Sequence, residues 1–535
     1  MGRGGQFWTE AEAAASVGTA GGDSRRRFLT RAATLAALPW LGRATAAETK
    51  PKFSGQPFTL GVASGDPDAT SVVLWTRLAP QPLEPLGGLD PLPVRVRWEL
   101  AEDEAMTRIV GSGEVAATPA LGFSVHVVAQ GLKPDRWYWY RFHAGDATSP
   151  VGKTRTFPAA DALPERLRFG VTSCQNYEQG LFTAYEQMMR DELDLVVHLG
   201  DYIYEYAAGR NGKVRMHHGP EIVSLDDYRA RHAQYRSDPF LHGMHAQCPW
   251  IVTWDDHEFD NNCAGAISEE PNVDPLDFLE RRVNAYQAYY EMMPLRPRSL
   301  PRGADMRLYR RLPFGALADF LVLDTRQYRS DQPNGDRRKP LNEAALARTQ
   351  TMLGAAQKQW LYQRLIASTA TWNVLAQQVM MGMVGHAKPG EEPQYSMDQW
   401  PGYAAERMEL ARFLAERRVS NPVVLTGDIH SNWANELRVD DRRVEDPRVA
   451  VEFVATSLTS GGNGLEKPLG LDALMAANPC VKFHNTERGY IRCEVKPKRW
   501  QADYMHIDDV LKPGGKTSVR RSFVVEAGSP VIHDA

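Results

Sequence analysis

The stretch Leu193-Asp194-Leu195-Val196-Val197-His198-Leu199-Gly200-Asp201-Tyr202-Ile203-Tyr204 runs from an apolar segment through a glycine into an acid and two phenols. It reads as a buried strand that ends at once in side chains able to bind a metal. Three other runs share the design. Leu167 to Ser173 ends in Cys174, Trp250 to Trp254 ends in Asp255-Asp256-His257-Glu258, and Pro422 to Thr426 ends in Gly427-Asp428-Ile429-His430. In α/β sheets ligands gather beyond the strand ends, where loops begin. One Asp after a strand is commonly a helix cap, but endings carrying Cys, Asp, Tyr, Asp-His and Asp-x-His in one chain point to a shared metal site.

The donor types narrow the metal. Cys174, Asp201, Tyr204 and His430 together offer a thiolate, a carboxylate, a phenolate and an imidazole, which suit a trivalent or borderline transition ion, iron first and zinc second. Asp201 and Tyr204 stand three apart, so one helical turn there would aim both the same way. Asp201, Asp256 and Asp428 form an oxygen-only set, which suits calcium or magnesium. Such a mixed site polarises phosphoryl oxygens and lowers the pKa of a bound water to about 7. Asp255 competes with Asp256 for the ligand role, and Asn261 and Asn262 read as residues that hold the loop or bind metal, the loop role first. Asp324-Thr325-Arg326 follows the apolar run Phe320 to Leu323, which puts Arg326 where a charge-assisted fork meets a phosphate oxygen. His198, inside an apolar run, reads as a core histidine, and His217-His218 as a solvated loop. The turn Trp400-Pro401-Gly402-Tyr403 reads equally as a pocket wall or as packing.

The rest of the chain is organised around these motifs. Residues 57–157 have an all-β texture, with strands expected at Leu60 to Val62, Ser71 to Thr76, Val94 to Leu100, Val125 to Ala129 and Tyr138 to His143. The stretch Gly131 to Tyr140 resembles a turn and strand of a small fibronectin type III-like sandwich, with Tyr138 at its corner. From 165 to 505 apolar runs alternate with helical stretches, the pattern of an α/β domain. Helices are expected at Leu181 to Arg190, Leu276 to Tyr290, Gln357 to Ile366 and Ala404 to Arg418. Residues 506–535 read as a tail, irregular at its start.

The 535 residues carry 62 Lys+Arg against 66 Asp+Glu, a net charge of −4, which leaves no basic footprint for nucleic acid. No apolar stretch reaches the roughly 18 residues of a membrane span. Near the N-terminus, Ser24-Arg25-Arg26-Arg27-Phe28-Leu29 precedes a short apolar core and Ala44-Thr45-Ala46. Residues 1–46 thus resemble a twin-arginine secretion signal, with the twin-arginine translocase as the implied partner and the periplasm or the exterior as the destination.

Taken together, the Ser-Cys-Gln motif at 173–175, Gly-Asp-Tyr-Ile-Tyr-Glu at 200–205, Trp-Asp-Asp-His-Glu at 254–258 and Thr-Gly-Asp-Ile-His-Ser at 426–431 resemble the PhoD family of phosphatases and phosphodiesterases, within the calcineurin-like metallophosphatases. The resemblance spans nearly the whole chain. It implies an α/β fold, a metallophosphatase β-sandwich flanked by helices, after the small all-β domain. It also implies Fe3+ with Ca2+, Zn2+ or Mg2+ being the lesser choices, and cleavage of phosphate esters by a metal-held hydroxide. Against the purple acid phosphatase pattern, Cys174 stands at the first Asp, Asp201 at the bridging Asp and Tyr204 at the iron-bound phenolate. Asp256 falls at a second-metal position, His257 faces substrate as proton donor, and Asp428 and His430 match the paired His of the last motif. Asp in place of Asn and His favours calcium over zinc. An additional His ligand has no counterpart, which leaves the number of calcium ions open.

Substrates expected on this basis are small phosphate esters, with phospholipid or polymeric phosphodiesters as wider candidates. A phospholipase D-like phosphodiesterase is the alternative within the family, and a non-catalytic metal-holding binding protein the alternative outside it. Of five cysteines, Cys174 is taken as an iron ligand. The spacings of Cys248 with Cys263 and of Cys480 with Cys493 then leave room for two local disulfides.

Overall fold

The computed structural model describes residues 53–388 and 390–535, so the signal-like segment 1–46 lies outside the described residues. Two sheets face each other. One has ten strands. At its centre Leu167–Thr172, Leu195–His198 and Trp250–Val252 run parallel, the pattern expected of strands joined by helical crossovers. The other has seven, with Ala318–Val322, Trp372–Ala376, Pro422–Thr426 and Arg448–Val454 parallel at its centre.

Period-two alternation explains why these strands read as unbroken apolar runs. Leu195 and Val197 point into the core between the sheets, with Phe169, Val171, Phe320, Val374, Val423 and Leu425. Val196, between them, points the other way, into a core closed by the helices Thr183–Met188, Leu225–Arg236, Pro239–Gln247 and Pro275–Met292. The outer face of the seven-stranded sheet is covered by Gly354–Ala367 and Ala404–Glu416. Both sheets are therefore buried on both faces, as mainly parallel sheets require, and the architecture is the expected helix-flanked β-sandwich.

The N-terminal region is all β, and Tyr138 accepts a hydrogen bond from the Lys133 backbone N–H at 3.0 Å, as a corner tyrosine does. Its strands do not all stay together. Val62–Gly65, Ser71–Arg77 and Ser124–Gln130 extend the ten-stranded sheet, with Gly65 paired in parallel to Trp250. Val94–Ala101, Ile109–Ala117 and Trp137–Ala144 form a separate sheet packed over that extension around Leu74, Val96, Val125, Tyr140 and Phe142. At the far edge, Arg499–Ile507 and Thr517–Glu526 pair along their length, so nearly half of the segment read as a tail is sheet.

The disulfide expectation is corrected. All five cysteines are free thiols and buried. Cys493 lies in the core between the sheets and Cys480 in a small cluster with Trp433 and Val454, so packing accounts for both. Three helices were missed, Leu225–Arg236, Pro239–Gln247 and Leu471–Ala477. The first carries a Ser224–Asp227 capping box but buries Arg229, Arg231, His232 and Arg236, so its hidden face is not apolar.

Trp250 sits at the seam between the N-terminal and central strands, 1% exposed and stacked on His245 at 3.7 Å. Trp250→Ala is expected to cost about 3–5 kcal/mol of stability, measured by chemical denaturation of the full chain.

Candidate metal centre

The parallel strands of both sheets end on the same side of the sandwich, and there the two sheets come into close contact. The Ser173 and Ser457 backbones bridge in parallel, and a Cβ on Gly427 would lie 2.8 Å from that of Ser173. Gly200 has φ +107°, and a Cβ there would meet Asp255 Cβ at 2.4 Å. Only glycine lets each strand end approach its neighbour this closely. The chain then turns sharply, with Cys174, Asp201, Asp428 and His430 all in the left-handed region at φ between 52° and 64°.

These turns bring the donors together. Ligand atoms of Cys174, Asp201 and His430 lie within 4.8 Å of one another, as do those of Asp201, Asp256 and His257, and of Asp255, Asp256 and Asp428. Asp201 joins the first group to the second, and Asp256 joins the second to the third. The Tyr204 hydroxyl donates to Asp201 Oδ2 at 2.9 Å and lies 3.1 Å from His430 Nε2 and 2.7 Å from Ser460 Oγ. Residues 202–203 form a bend and not the helical turn expected, yet Tyr204 still reaches Asp201.

The donor set fits a cation. Asp201 Oδ1 is buried with no hydrogen-bond partner among the described residues. Burial pushes the Asp201 carboxyl well above its ordinary range, with the charges of Asp256 and Glu258 adding to it against His257. Burial, then the Asp201 charge, does the same to the Cys174 thiol and the Tyr204 phenol. Three groups that burial keeps protonated become anionic together when a metal lies among them. His430 is pushed down to about 3, by burial and then by Arg488 and His257. It is therefore a neutral imidazole, the form that ligates.

Several expected roles change. The Arg326 fork is taken: its nitrogens donate to Asp255 Oδ1 at 2.5 Å, Asp398 Oδ1 at 2.9 Å and Asp428 Oδ1 at 3.0 Å, and the residue is 2% exposed. It holds carboxylates where a phosphate clamp was expected. Asp255 spends one oxygen on Arg326, whereas Asp256 belongs to two donor groups and accepts the Asn262 N–H at 2.7 Å. Asn262 also donates to Asp336, which makes it a loop-holding residue. His198 is a buried core histidine, pushed down to about 3 by burial. His217 is buried as well, between Tyr177 and Tyr235, and not solvated. Trp400 and Tyr403 are packing, bonded to Gln377 and the Ser330 carbonyl.

Sequence reasoning passed over three contributors. Glu205 closes the 200–205 motif, and its carboxylate lies 2.7 Å from His257 Nδ1. Glu258 accepts the backbone N–H of Asp201 at 3.0 Å and of Asp255 at 2.8 Å. Both sit inside the quoted motifs, a signal that was available. Ser460, which donates to the Cys174 carbonyl at 2.9 Å, comes from a loop with no such mark.

A helix-flanked β-sandwich with linked donor groups at the converging strand ends defines a metal-dependent hydrolase of phosphoric esters. Residues 169–504 match the PhoD-like phosphatase family and residues 43–158 its N-terminal domain, and the chain belongs to the PhoD-like phosphatase family. It is 49% identical over 513 residues to alkaline phosphatase D of Bacillus subtilis (strain 168), covering 94% of this chain and 87% of that protein. A solved structure of PhoD aligns with TM-score 0.88 at 50% identity, over 90% of this chain and 93% of that one. The non-catalytic alternative therefore falls.

Arg326→Met is expected to destabilise the metal-stripped protein by about 3–5 kcal/mol, because it leaves Asp255 and Asp428 buried without their cation. Urea denaturation of both proteins in chelator checks this.

Proposed function

We propose that the chain hydrolyses phosphate mono- and diesters at a mixed centre of Fe3+ and Ca2+, outside the cytoplasm after twin-arginine export. One observation carries the reading. Asp201, with an unpartnered buried oxygen, stands between a group of sulfur, nitrogen and phenol donors and a group of carboxylates. Cys174, Tyr204, His430 and Asp201 would hold the iron, and Asp201, Asp256 and Asp428 the calcium; thiolate and phenolate favour iron over zinc, and the all-oxygen set favours calcium. Bound there, the metals supply Lewis-acid polarisation of the phosphoryl oxygens and an activated water.

The chain's own side chains supply the rest. Glu205 holds His257 at Nδ1 and leaves Nε2 to donate to the departing oxygen. Burial opposes charge on that imidazole, but Glu205, Asp256 and Asp201 outweigh it and hold its pKa well above the ordinary value, so it carries the proton it gives. Arg326 acts as a positioning residue for Asp255 and Asp428. No helix among the described residues is long and apolar enough to cross a membrane.

Elemental analysis of the exported protein is expected to find one iron per chain and calcium-dependent activity; zinc alone would overturn the metal assignment. Glu205→Gln is expected to lower kcat by about 10²-fold with little change in KM for p-nitrophenyl phosphate. Turnover on that monoester, on bis-p-nitrophenyl phosphate and on phosphatidylcholine separates the monoesterase, diesterase and phospholipase D-like readings.

A further inference from the structure

At the edge of the seven-stranded sheet, along the strand Arg310–Phe314, lies a cavity of about 750 Å³. Arg310, in its wall, begins the edge strand Arg310–Phe314, pairs with Val322 just before the loop of Arg326, and donates to the Val252 carbonyl at 2.9 Å. Met306, also in the wall, is tied to that same loop through both ends of the Gln327 amide, at 3.1 and 2.7 Å.

The cavity is lined by six arginines and one acid, Asp305. Two of the arginines have partners: Arg310 pairs with Asp66 at 2.7 Å and Arg311 with Asp319 at 2.8 Å. Those pairs use the carboxylates that Arg298 and Arg364 also face. Arg298, Arg302, Arg307 and Arg364 make no side-chain hydrogen bond or ion pair among the described residues. Burial pushes Arg298 below its ordinary range, and Arg310, Arg296 and Arg307 add to this against Asp66. Four exposed guanidinia without an ion pair, that of Arg307 over the Tyr309 ring at 4.9 Å, leave an excess of positive charge around one hollow that has Asp305 in its wall and Asp66 and Asp319 behind it.

We propose that this cavity is a second anion site, outside the donor groups, that takes a further phosphate of a multiply phosphorylated ester. The proposal rests on the phosphate-ester reading above. Guanidinium forks match phosphate oxygens in geometry as well as charge. Tyr309 packs against Trp360 at 5.0 Å and Tyr328 at 5.7 Å and gives the hollow an apolar floor for the organic part of the ligand.

The test is calorimetric titration of the full chain carrying Asp201→Asn, which disables the catalytic centre, with inorganic tripolyphosphate. Saturable binding is expected, weakened about tenfold or more when Arg302→Ala, Arg307→Ala and Arg364→Ala are added. Equal affinity with and without those changes overturns the proposal. Inorganic phosphate binding as tightly as tripolyphosphate also overturns it, in favour of a product-phosphate site. With Asp201 intact, the triple variant is expected to raise KM for a hexose 1,6-bisphosphate about tenfold and leave KM for p-nitrophenyl phosphate unchanged; equal effects on both count against it. If the triple variant does not fold, Arg302→Ala alone, at an exposed position, is expected to weaken tripolyphosphate binding about threefold, and no weakening overturns the site. Absence of any esterase activity would sink the phosphate-ester reading while leaving the binding result to stand by itself.

Discussion

The Arg326 guanidinium donates to Asp255, Asp398 and Asp428 and lies 3.7 Å from Asp256, with almost no access to water. Asp255 and Asp256 follow a strand of the ten-stranded sheet, and Asp428 follows a strand of the seven-stranded one. The cation is thus the electrostatic tie between the two halves of the sandwich at the end where they converge. Carboxylates so close and so dry repel one another and lose their hydration, and a single pair would not repay that cost. A planar cation with five donors can face three acids at once, which an ammonium cannot do. Asp398 is shared further with Arg329 at 2.5 Å, so the network continues outward instead of ending on an unpaired charge.

The neighbouring loops are fixed in the same manner. Arg231, on the helix Leu225–Arg236, donates to the carbonyls of Tyr204 and Tyr206. It holds the turn after Asp201 from the helical layer, while Glu258 holds the Asp201 N–H from the next strand end. The donor positions are therefore set by charged groups reaching in from two directions, and the helices on that face serve the site as well as the core. That is why so many of their buried residues are polar.

What was legible in the sequence is what is local. Each strand end announces itself by an apolar run and a ligand-type side chain within a few positions, and Pro422–Thr426 is found where its pattern ends. Cys174, Asp201, Asp256, His257, Asp428 and His430 all fall in the linked groups for this reason. Roles set by distant partners were not legible. Nothing local to Arg326 shows that Asp398 and Asp428 will meet it, 72 and 102 residues on. The pairing of Gly65 with Trp250, which fuses the first strands to the catalytic sheet, is equally non-local. The helix Leu225–Arg236 escaped notice because four of its seven buried residues are arginine or histidine, and periodicity of apolar residues is blind to that.

The backbone at the strand ends shows which demand prevailed where stability and function pulled apart. Cys174, Asp201, Asp428 and His430 occupy the left-handed region, which costs a residue with a Cβ roughly 1–2 kcal/mol relative to the right-handed one. Glycine would remove that cost at every one of these positions but would bring no donor atom. The surroundings hold the strained turns in place: the Cys174 N–H donates to the Gly200 carbonyl at 3.1 Å, and the Gln175 N–H to the Asp201 carbonyl at 3.0 Å, so two strand ends brace each other. An extended continuation would send alternate side chains to opposite faces of the sheet. The left-handed step breaks that alternation and turns a thiol, two carboxylates and an imidazole into the linked donor groups. Strain repeated at four ligand-type residues and relieved at none has a physical account only if the convergence is what the fold is built to hold.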